Sequence, residues 1–279
     1  MKKILLLLFA LLFTVFTFAQ KKEKLKGSKT VTITQKEVEN FENLEVEDNI
    51  EIFLVKGDTQ SLEIEADDNL HEAIVAEVKG TTLRLYTNKD LTGAKKLSVR
   101  VTYTDNLKTI TAKNESTVNS LTDLQLENIT IKNLDYSKSY LNVKSANFTL
   151  IMNDKTTVEL NFQGDNVTIE LSKSSQLKAL IAASQLAKID LYQKTTAVIE
   201  GDATAAKIRV DNNAILTGKK FTVKNMDLTA ESYTNCNVNA AENITIAASG
   251  KAEIELFGKP KVQVTNFADS AVLYKREKL

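Results

Sequence analysis

The stretch from Asn128 to Leu171 contains one pattern three times, as Asn128-Ile-Thr-Ile-Lys-Asn133, Asn147-Phe-Thr-Leu-Ile-Met152 and Asn166-Val-Thr-Ile-Glu-Leu171. In each copy two apolar side chains stand two residues apart, which is the spacing of a β-strand. The second member of the pair recurs along the chain at intervals of 18 to 20 residues, and we call this series the inner ladder. Its members are Ala112, Ile131, Leu150, Ile169, Ile189, Ile208, Leu228, Ile246 and Val264.

A repeat this regular predicts a solenoid, in which each coil buries its apolar face against the neighbouring coils. Because the elements are strands, coils of about 19 residues predict an all-β fold, a parallel β-helix over residues 105–279. Parallel crossovers are strongly biased to one hand, so the helix is expected to be right-handed. Residues 31–104 lose the period, and their alternating strands predict a β-rich cap that makes residues 31–279 one domain.

A second apolar series follows each turn and predicts a second strand in every coil. Its members are Leu141, Val143, Val158, Leu160, Leu177, Val198, Ile215, Cys236, Val238, Ile254, Leu256, Val272 and Tyr274. Two strands leave two tight corners per coil, where Asn, Asp, Ser and Gly accumulate. We interpret Cys236, the only cysteine, as a small core residue, and a single cysteine excludes an intrachain disulfide.

The N-terminus predicts export. Met1-Lys2-Lys3 precedes an apolar run that ends at Ala19, which is typical of a cleaved signal peptide over residues 1–19. The run is shorter than the roughly 20 residues of a transmembrane helix, and no later run is longer. The mature chain is therefore expected in the periplasm, at the cell surface or in the medium, without a transmembrane segment. Its lysine-rich residues 20–30 are predicted to form a mobile tail.

The cap region also predicts a short helix. Asp67-Asp68-Asn69 offers N-cap residues for a helix through Leu70, Ala73 and Ile74, closed by Lys79-Gly80.

Four segments of this region resemble the opening of the head GIN domain family of auto-transporter adhesins. They are Phe41-Glu-Asn-Leu-Glu-Val46, Ile50-Glu-Ile-Phe-Leu-Val-Lys-Gly-Asp58, Ser61-Leu-Glu-Ile-Glu-Ala-Asp-Asp-Asn-Leu70 and Val78-Lys-Gly-Thr-Thr-Leu-Arg-Leu85. The Gly-Ile-Asn motif that names the family is not matched, since the nearest alignment falls on Asp48-Asn49-Ile50. The resemblance implies an exported bacterial β-helix protein with an adhesin-like role, and it implies no particular site residues.

Amide side chains recur at one corner. Asn128, Asn147 and Asn166 are 19 residues apart, and Gln185 follows after another 19. Stacked amides can hydrogen-bond from coil to coil, which is the interpretation we favour. The alternative is N-glycosylation, because each asparagine begins an Asn-X-Thr triplet.

Candidates for chemistry are few. One His and one Cys cannot build an ordinary zinc site, and no Gly-rich phosphate loop is present, so no cofactor or metal is predicted. Asp135 and Asp154 are 19 residues apart and should stack on adjacent coils about 4.8 Å apart. Two carboxylates this close push one pKa of the pair up, as a glycosidase acid requires, although corner aspartates are also ordinary turn formers. A further alternative is that the pair binds a cation. His71, on the predicted helix, is expected to face solvent.

The leading hypothesis is a non-enzymatic exported module that binds a glycan or an envelope or surface protein. Asp135, Asp154 and Tyr136 are its candidate binding residues, and Tyr140 and Tyr192 are further tyrosines near turns. The alternative is a polysaccharide-active lyase or hydrolase that uses the two aspartates. After signal cleavage 34 basic and 36 acidic residues remain, a balance without the concentrated basic face that binds nucleic acid.

Overall fold

The computed structural model describes residues 22–277, so the predicted signal peptide lies outside the described residues. Within this range the only helix is a 3-10 helix, Asp68–Ala73, and no helix is long and apolar enough to span a membrane. The strands are β1 (Lys24–Lys26), β2 (Val31–Glu37), β3 (Asn43–Val46), β4 (Glu51–Lys56), β5 (Ser61–Asp67), β6 (Ile74–Lys79), β7 (Thr82–Thr87), β8 (Asp90–Thr92), β9 (Leu97–Tyr103), β10 (Thr109–Ala112), β11 (Thr117–Ser120), β12 (Leu124–Gln125), β13 (Asn128–Asn133), β14 (Lys138–Met152), β15 (Thr157–Leu171), β16 (Gln176–Leu191), β17 (Thr196–Val210), β18 (Ile215–Ala230), β19 (Asn235–Ala248), β20 (Glu253–Phe257), β21 (Lys261–Phe267) and β22 (Val272–Lys275).

The strands build a parallel β-solenoid of about nine turns with coils of about 19 residues, as the sequence predicts. Each long strand from β14 to β19 has two pairing segments, which in β14 are residues 138–145 and 147–152. The two segments face each other across the core, where Phe148 in the second segment of β14 and Phe162 in the first segment of β15 stack with ring centroids 5.8 Å apart. We call them the long flank and the short flank.

The inner ladder runs along the short flank. Leu150, Ile169 and Ile189 are parallel register partners, and all three are 0% exposed. One rung differs from the prediction, because Ile110 pairs with Ile131 and Ala112 pairs with Asn133. This coil is 21 residues long at that point, since it also contains β12. The extra length displaces the first rung by two residues.

Four members of the second series face outward rather than inward: Val198, Ile215, Val272 and Tyr274. Ile215 and Tyr274 are each 43% exposed. Their chain neighbours Ala197, Leu216 and Leu273 occupy the inward columns of the long flank instead. Where two apolar residues are adjacent, alternation alone does not choose between them, and a one-residue change of coil length reverses the choice.

The N-terminal strands extend both flanks and cap the first coil. On the short flank the spatial order is β6-β7-β3-β10, and on the long flank it is β2-β5-β9-β4-β11. Strand β2 pairs with β5 in antiparallel fashion, and β6 pairs with β7 in the same way. The predicted helix is shorter than expected, because Ile74 begins strand β6. Lys24–Lys26, predicted within a mobile tail, forms β1 and pairs with β8.

Asp67 fastens this cap. Its carboxylate is 0% exposed and accepts hydrogen bonds from the backbone N–H groups of Lys29 at 2.8 Å and of Lys95 and Lys96 at 3.0 Å each. Burial acts to raise the pKa of Asp67, but these donors outweigh it and the pKa is lowered overall. One charged side chain thus joins the start of β2, the end of β5 and the loop before β9.

We expect Asp67 to make cap stability dependent on pH. Because its folded-state pKa is below the unfolded value, its contribution is present above the unfolded pKa and is lost as the pH falls through the folded pKa. Asp67→Asn should therefore unfold at lower urea than wild type at pH 7, and the difference should shrink below about pH 4. Asp58→Asn, in an exposed turn, is the control. A difference that stayed constant with pH would contradict this role.

The amide ladder joins the coils on the surface. Asn147 Nδ2 donates to Asn128 Oδ1 at 2.8 Å, and Asn166 Nδ2 donates to Asn147 Oδ1 at 3.0 Å. Gln185 does not continue the series, because a register shift pairs Asn166 with Leu186. A further pair, not predicted, joins Asn243 Nδ2 to Asn225 Oδ1 at 2.7 Å.

Candidate functional site

The predicted site residues lie at a repeated corner between the short and long flanks. Asp135 and Tyr136 have φ of 49° and 64°, and Asp154 and Lys155 have φ of 63° and 58°. Aspartate tolerates this left-handed region better than most residues, which explains its recurrence at the turn. Tyr136 N–H donates to the Asp154 carbonyl oxygen at 3.0 Å. The two aspartates therefore occupy adjacent coils, as their 19-residue spacing predicts.

Asp135 and Tyr136 also border a surface groove of about 610 Å³, which we call the corner groove. Lys22, Asp48 and Glu115 line it too, and Asp154 does not. Tyr136, 50% exposed, also contacts Lys155 of the next coil, whose Nζ lies 5.1 Å from the ring centroid and 3.1 Å from the hydroxyl. Within residues 22–277 no three His, Cys, Asp or Glu side chains are placed to hold a metal ion. The corner groove thus contains Asp135 without Asp154.

A second groove, which we call the flank groove, occupies the outer face of the long flank and measures about 630 Å³. Three large apolar side chains on its surface are exposed: Leu121 at 55%, Tyr140 at 43% and Leu180 at 51%. Phe53 closes its N-terminal end, paired in register with Asn119. Soluble proteins rarely leave apolar side chains clustered on a surface without a binding role.

Polar groups stand beside these apolar side chains. Asn142 and Asn161 are register partners, and Asn161 Nδ2 donates to Asn142 Oδ1 at 3.4 Å. A side-chain amide has two donors and a carbonyl oxygen with two lone pairs, so both residues keep capacity for a ligand. Glu159 and Lys178 form an exposed ion pair at 3.8 Å, and Glu200 adds a second carboxylate. Glu200 is itself paired with Lys220 at 3.1 Å, so the groove is amphipathic and its charges are balanced.

Sequence reasoning found Tyr140 but missed Leu121, Leu180 and the two asparagines. A signal was present, because Asn142, Asn161 and Leu180 follow one another at 19-residue intervals in an outward column of the long flank. A leucine in a column of outward polar residues has no packing role in the core. Leu121 has no such signal, since it lies in the loop after β11.

The remaining reactive side chains serve structure. Cys236 is 3% exposed, and burial raises the pKa of its thiol to about 12, so the thiolate needed for nucleophilic attack is scarce at neutral pH. His71 is half-buried rather than solvent-facing, with Nε2 2.9 Å from Thr32 Oγ1.

Together the fold and its surface define a parallel β-helix protein with ligand-sized grooves on its outside. The chain belongs to the family described as "Putative auto-transporter adhesin, head GIN domain", which matches residues 40–260. The family resemblance seen in the N-terminal segments is thereby confirmed. A comparison with curated proteins finds no match.

Solved structures share the fold. A "putative adhesin" from Parabacteroides merdae superposes with a TM-score of 0.65 at 15% identity, and one from Parabacteroides distasonis with 0.64 at 17% identity. A "putative lipid binding protein" from Parabacteroides distasonis gives 0.66 at 14% identity. Each comparison covers 91% of this chain and 100% of the other. At these identities the likeness concerns the fold alone.

Proposed function

We propose that this protein is an exported, non-catalytic, adhesin-like binding protein that holds a neutral glycan in the flank groove. The observation that carries the proposal is one concave surface in which an exposed tyrosine and two exposed leucines adjoin paired side-chain amides. A groove of this size suits a small ligand or a segment of a longer chain. Membership of an adhesin family supports a binding role over catalysis.

The chemistry of the groove favours a hydroxylated ligand with one apolar face. Tyr140 presents a ring face and a polar hydroxyl, so it can contact the C–H face of a sugar ring. Asn142 and Asn161 can donate to and accept from sugar hydroxyls, and Glu159 can accept from them. Each carboxylate of the groove is paired with a lysine, Glu159 with Lys178 and Glu200 with Lys220, so the groove has no excess positive charge to attract an anionic ligand.

An acyl chain is the second candidate, because Leu121 and Leu180 expose large apolar surface in the same groove. The similar fold described as a lipid-binding protein makes the comparison worthwhile. Amides and charged groups along the groove count against it, since an acyl chain would leave them without hydrogen-bond partners.

The enzyme alternative has less support. Asp135 and Asp154 lie on successive corners, and the groove that Asp135 borders does not include Asp154. A hydrolase needs its two carboxyl groups on either side of the scissile bond in one cleft. A lyase needs a cation beside its base, and Lys155, the cation next to Asp154, is engaged by the Tyr136 hydroxyl at 3.1 Å.

A binding screen of the chain from Gln20 onward against neutral glycans, acidic glycans and acyl-chain vesicles tests the proposal. We expect binding to neutral glycans that weakens about tenfold or more in Tyr140→Ala and in Asn161→Ala. Tyr233→Ala is the matched control, because Tyr233 is 60% exposed and lies outside the groove. Binding to vesicles alone, or glycan binding indifferent to Tyr140, would refute the flank groove as a glycan site.

A product assay over the same glycans separates binding from catalysis. We expect neither new reducing ends nor unsaturated products from wild type. Reproducible turnover that disappears in Asp154→Asn would favour the enzyme alternative instead.

A further inference from the structure

The last coil, formed by β21 and β22, exposes side chains at inward positions. Val262, Val264 and Phe267 continue three inward columns of β19, whose own members in those columns are 0 or 1% exposed. In β21 the side chains in these columns are exposed, Val262 to 46%, Val264 to 49% and Phe267 to 45%. The core of the solenoid therefore reaches solvent at its C-terminal end.

The backbone at this end is open as well. Within residues 22–277, β21 pairs with β19 alone and β22 pairs with β20 alone. One side of each strand thus offers a row of N–H and C=O groups, which is a template for another strand. Another β-coil would satisfy the backbone groups and cover the apolar side chains together.

The opposite end of the molecule has edge strands too, since β2 pairs with β5 alone and β6 with β7 alone within residues 22–277, but it lacks a comparable apolar surface. There the inward residues Leu83, Leu85, Val99 and Val101 are all 0% exposed, because the antiparallel cap strands and the 3-10 helix cover them. The exposed Ile33 of edge strand β2, at 61%, is a single large apolar side chain. At the inward positions of β2 stand Thr32, Thr34 and Lys36, which are exposed and polar. Among the described residues, the C-terminal coil is therefore the end with several exposed apolar side chains at inward positions, so its natural complement is a second copy of itself.

We propose that β21 and β22 form the interface of a two-fold homodimer, in which two solenoids meet end to end through their last coils. Two-fold contacts close and use the same patch twice, whereas head-to-tail contacts grow into open filaments.

The positions of the charged residues in β21 and β22 fit this two-fold geometry. Lys261 is the only charged residue of β21 and is its first residue, and Lys275 is the only one of β22 and is its last. Antiparallel pairing about a central axis places the like charges at opposite ends of each strand pair.

Sedimentation velocity on the chain from Gln20 onward, over a range of protein concentrations, tests the dimer. We expect a concentration-dependent species of twice the chain mass. Val264→Glu should raise its dissociation constant about tenfold or more, because two carboxylates would be buried near the axis. Ile33→Glu, an equally exposed apolar-to-acid change on the other end, should leave the dimer intact. Circular dichroism and melting temperature establish that both variants fold.

Three results would overturn the proposal. They are a monomer at every concentration, a dimer lost in Ile33→Glu but kept in Val264→Glu, and assemblies that grow beyond two copies as concentration rises. None of them bears on the flank groove, since its glycan binding is measured separately.

Discussion

Replacing Ile169 by aspartate is expected to abolish cooperative folding of the central coils. Ile169 is 0% exposed and stacks between Leu150 and Ile189 in the inner ladder. A carboxylate there would have no partner of opposite charge in a column of aliphatic side chains, and burying an unpaired charge is prohibitively costly. In a solenoid each coil is stabilised by its neighbours, so the defect should propagate to both sides.

A smaller change at the same position measures how much the packing of Ile169 contributes to the free energy of unfolding. Ile169→Ala removes buried methylenes and should lower the free energy of unfolding by about 2–5 kcal/mol, as other cavity-forming substitutions do. Thr168→Asp is the control, because Thr168 faces outward beside Lys188, where a carboxylate is solvated. Urea unfolding followed by circular dichroism measures all three variants. A wild-type midpoint for Ile169→Asp would mean that the inward face of β15 has been misassigned.

The period of the inner ladder was enough to predict the solenoid, because stacked coils require inward apolar residues at the same place in every turn. The wrong predictions have two causes: one coil is longer than the others, and some positions lie in runs of adjacent apolar residues. Ala112 was placed two residues from the true rung because its coil is longer by β12. Val198 was predicted to face inward although it faces outward, within a run in which Ala197, Val198 and Ile199 are all apolar. Alternation carries no information in such a run.

The grooves were harder to predict than the core. An outward side chain is not constrained by packing in the core. The sequence therefore shows which outward column the residue belongs to, but not whether the surface around that column is concave. Tyr140 could be selected because aromatic residues near turns are informative by themselves, whereas Leu180 gains meaning only beside Asn142 and Asn161. The corner aspartates illustrate the opposite case, in which regular spacing was correct and the shared cleft did not follow from it.

Gly201 marks a position where the backbone, and not the apolar pattern, limits the sequence. It interrupts an inward column between Ile181 and Phe221, beside the register shift that follows Val198. Its φ is +106°, outside the left-handed region that other residues tolerate. A Cβ built there would stand 2.1 Å from the Ile181 carbonyl oxygen, which belongs to the backbone of the adjacent strand and cannot rotate away. Glycine inside a strand commonly accompanies such a bulge and close approach.

We therefore expect Gly201→Ala to lower the free energy of unfolding by about 3 kcal/mol or more, since strain at φ and overpacking act together. Gly80→Ala separates the two effects, because Gly80 has φ of +62° and its added Cβ would meet nothing within 4 Å. That control should lose only the roughly 1–2 kcal/mol of left-handed backbone strain. The urea unfolding midpoints of the two variants measure these two losses of stability. If Gly201→Ala lost no more stability than Gly80→Ala, β16 and β17 would have to separate at the bulge without cost, and the close approach of their backbones would not be what selects glycine there.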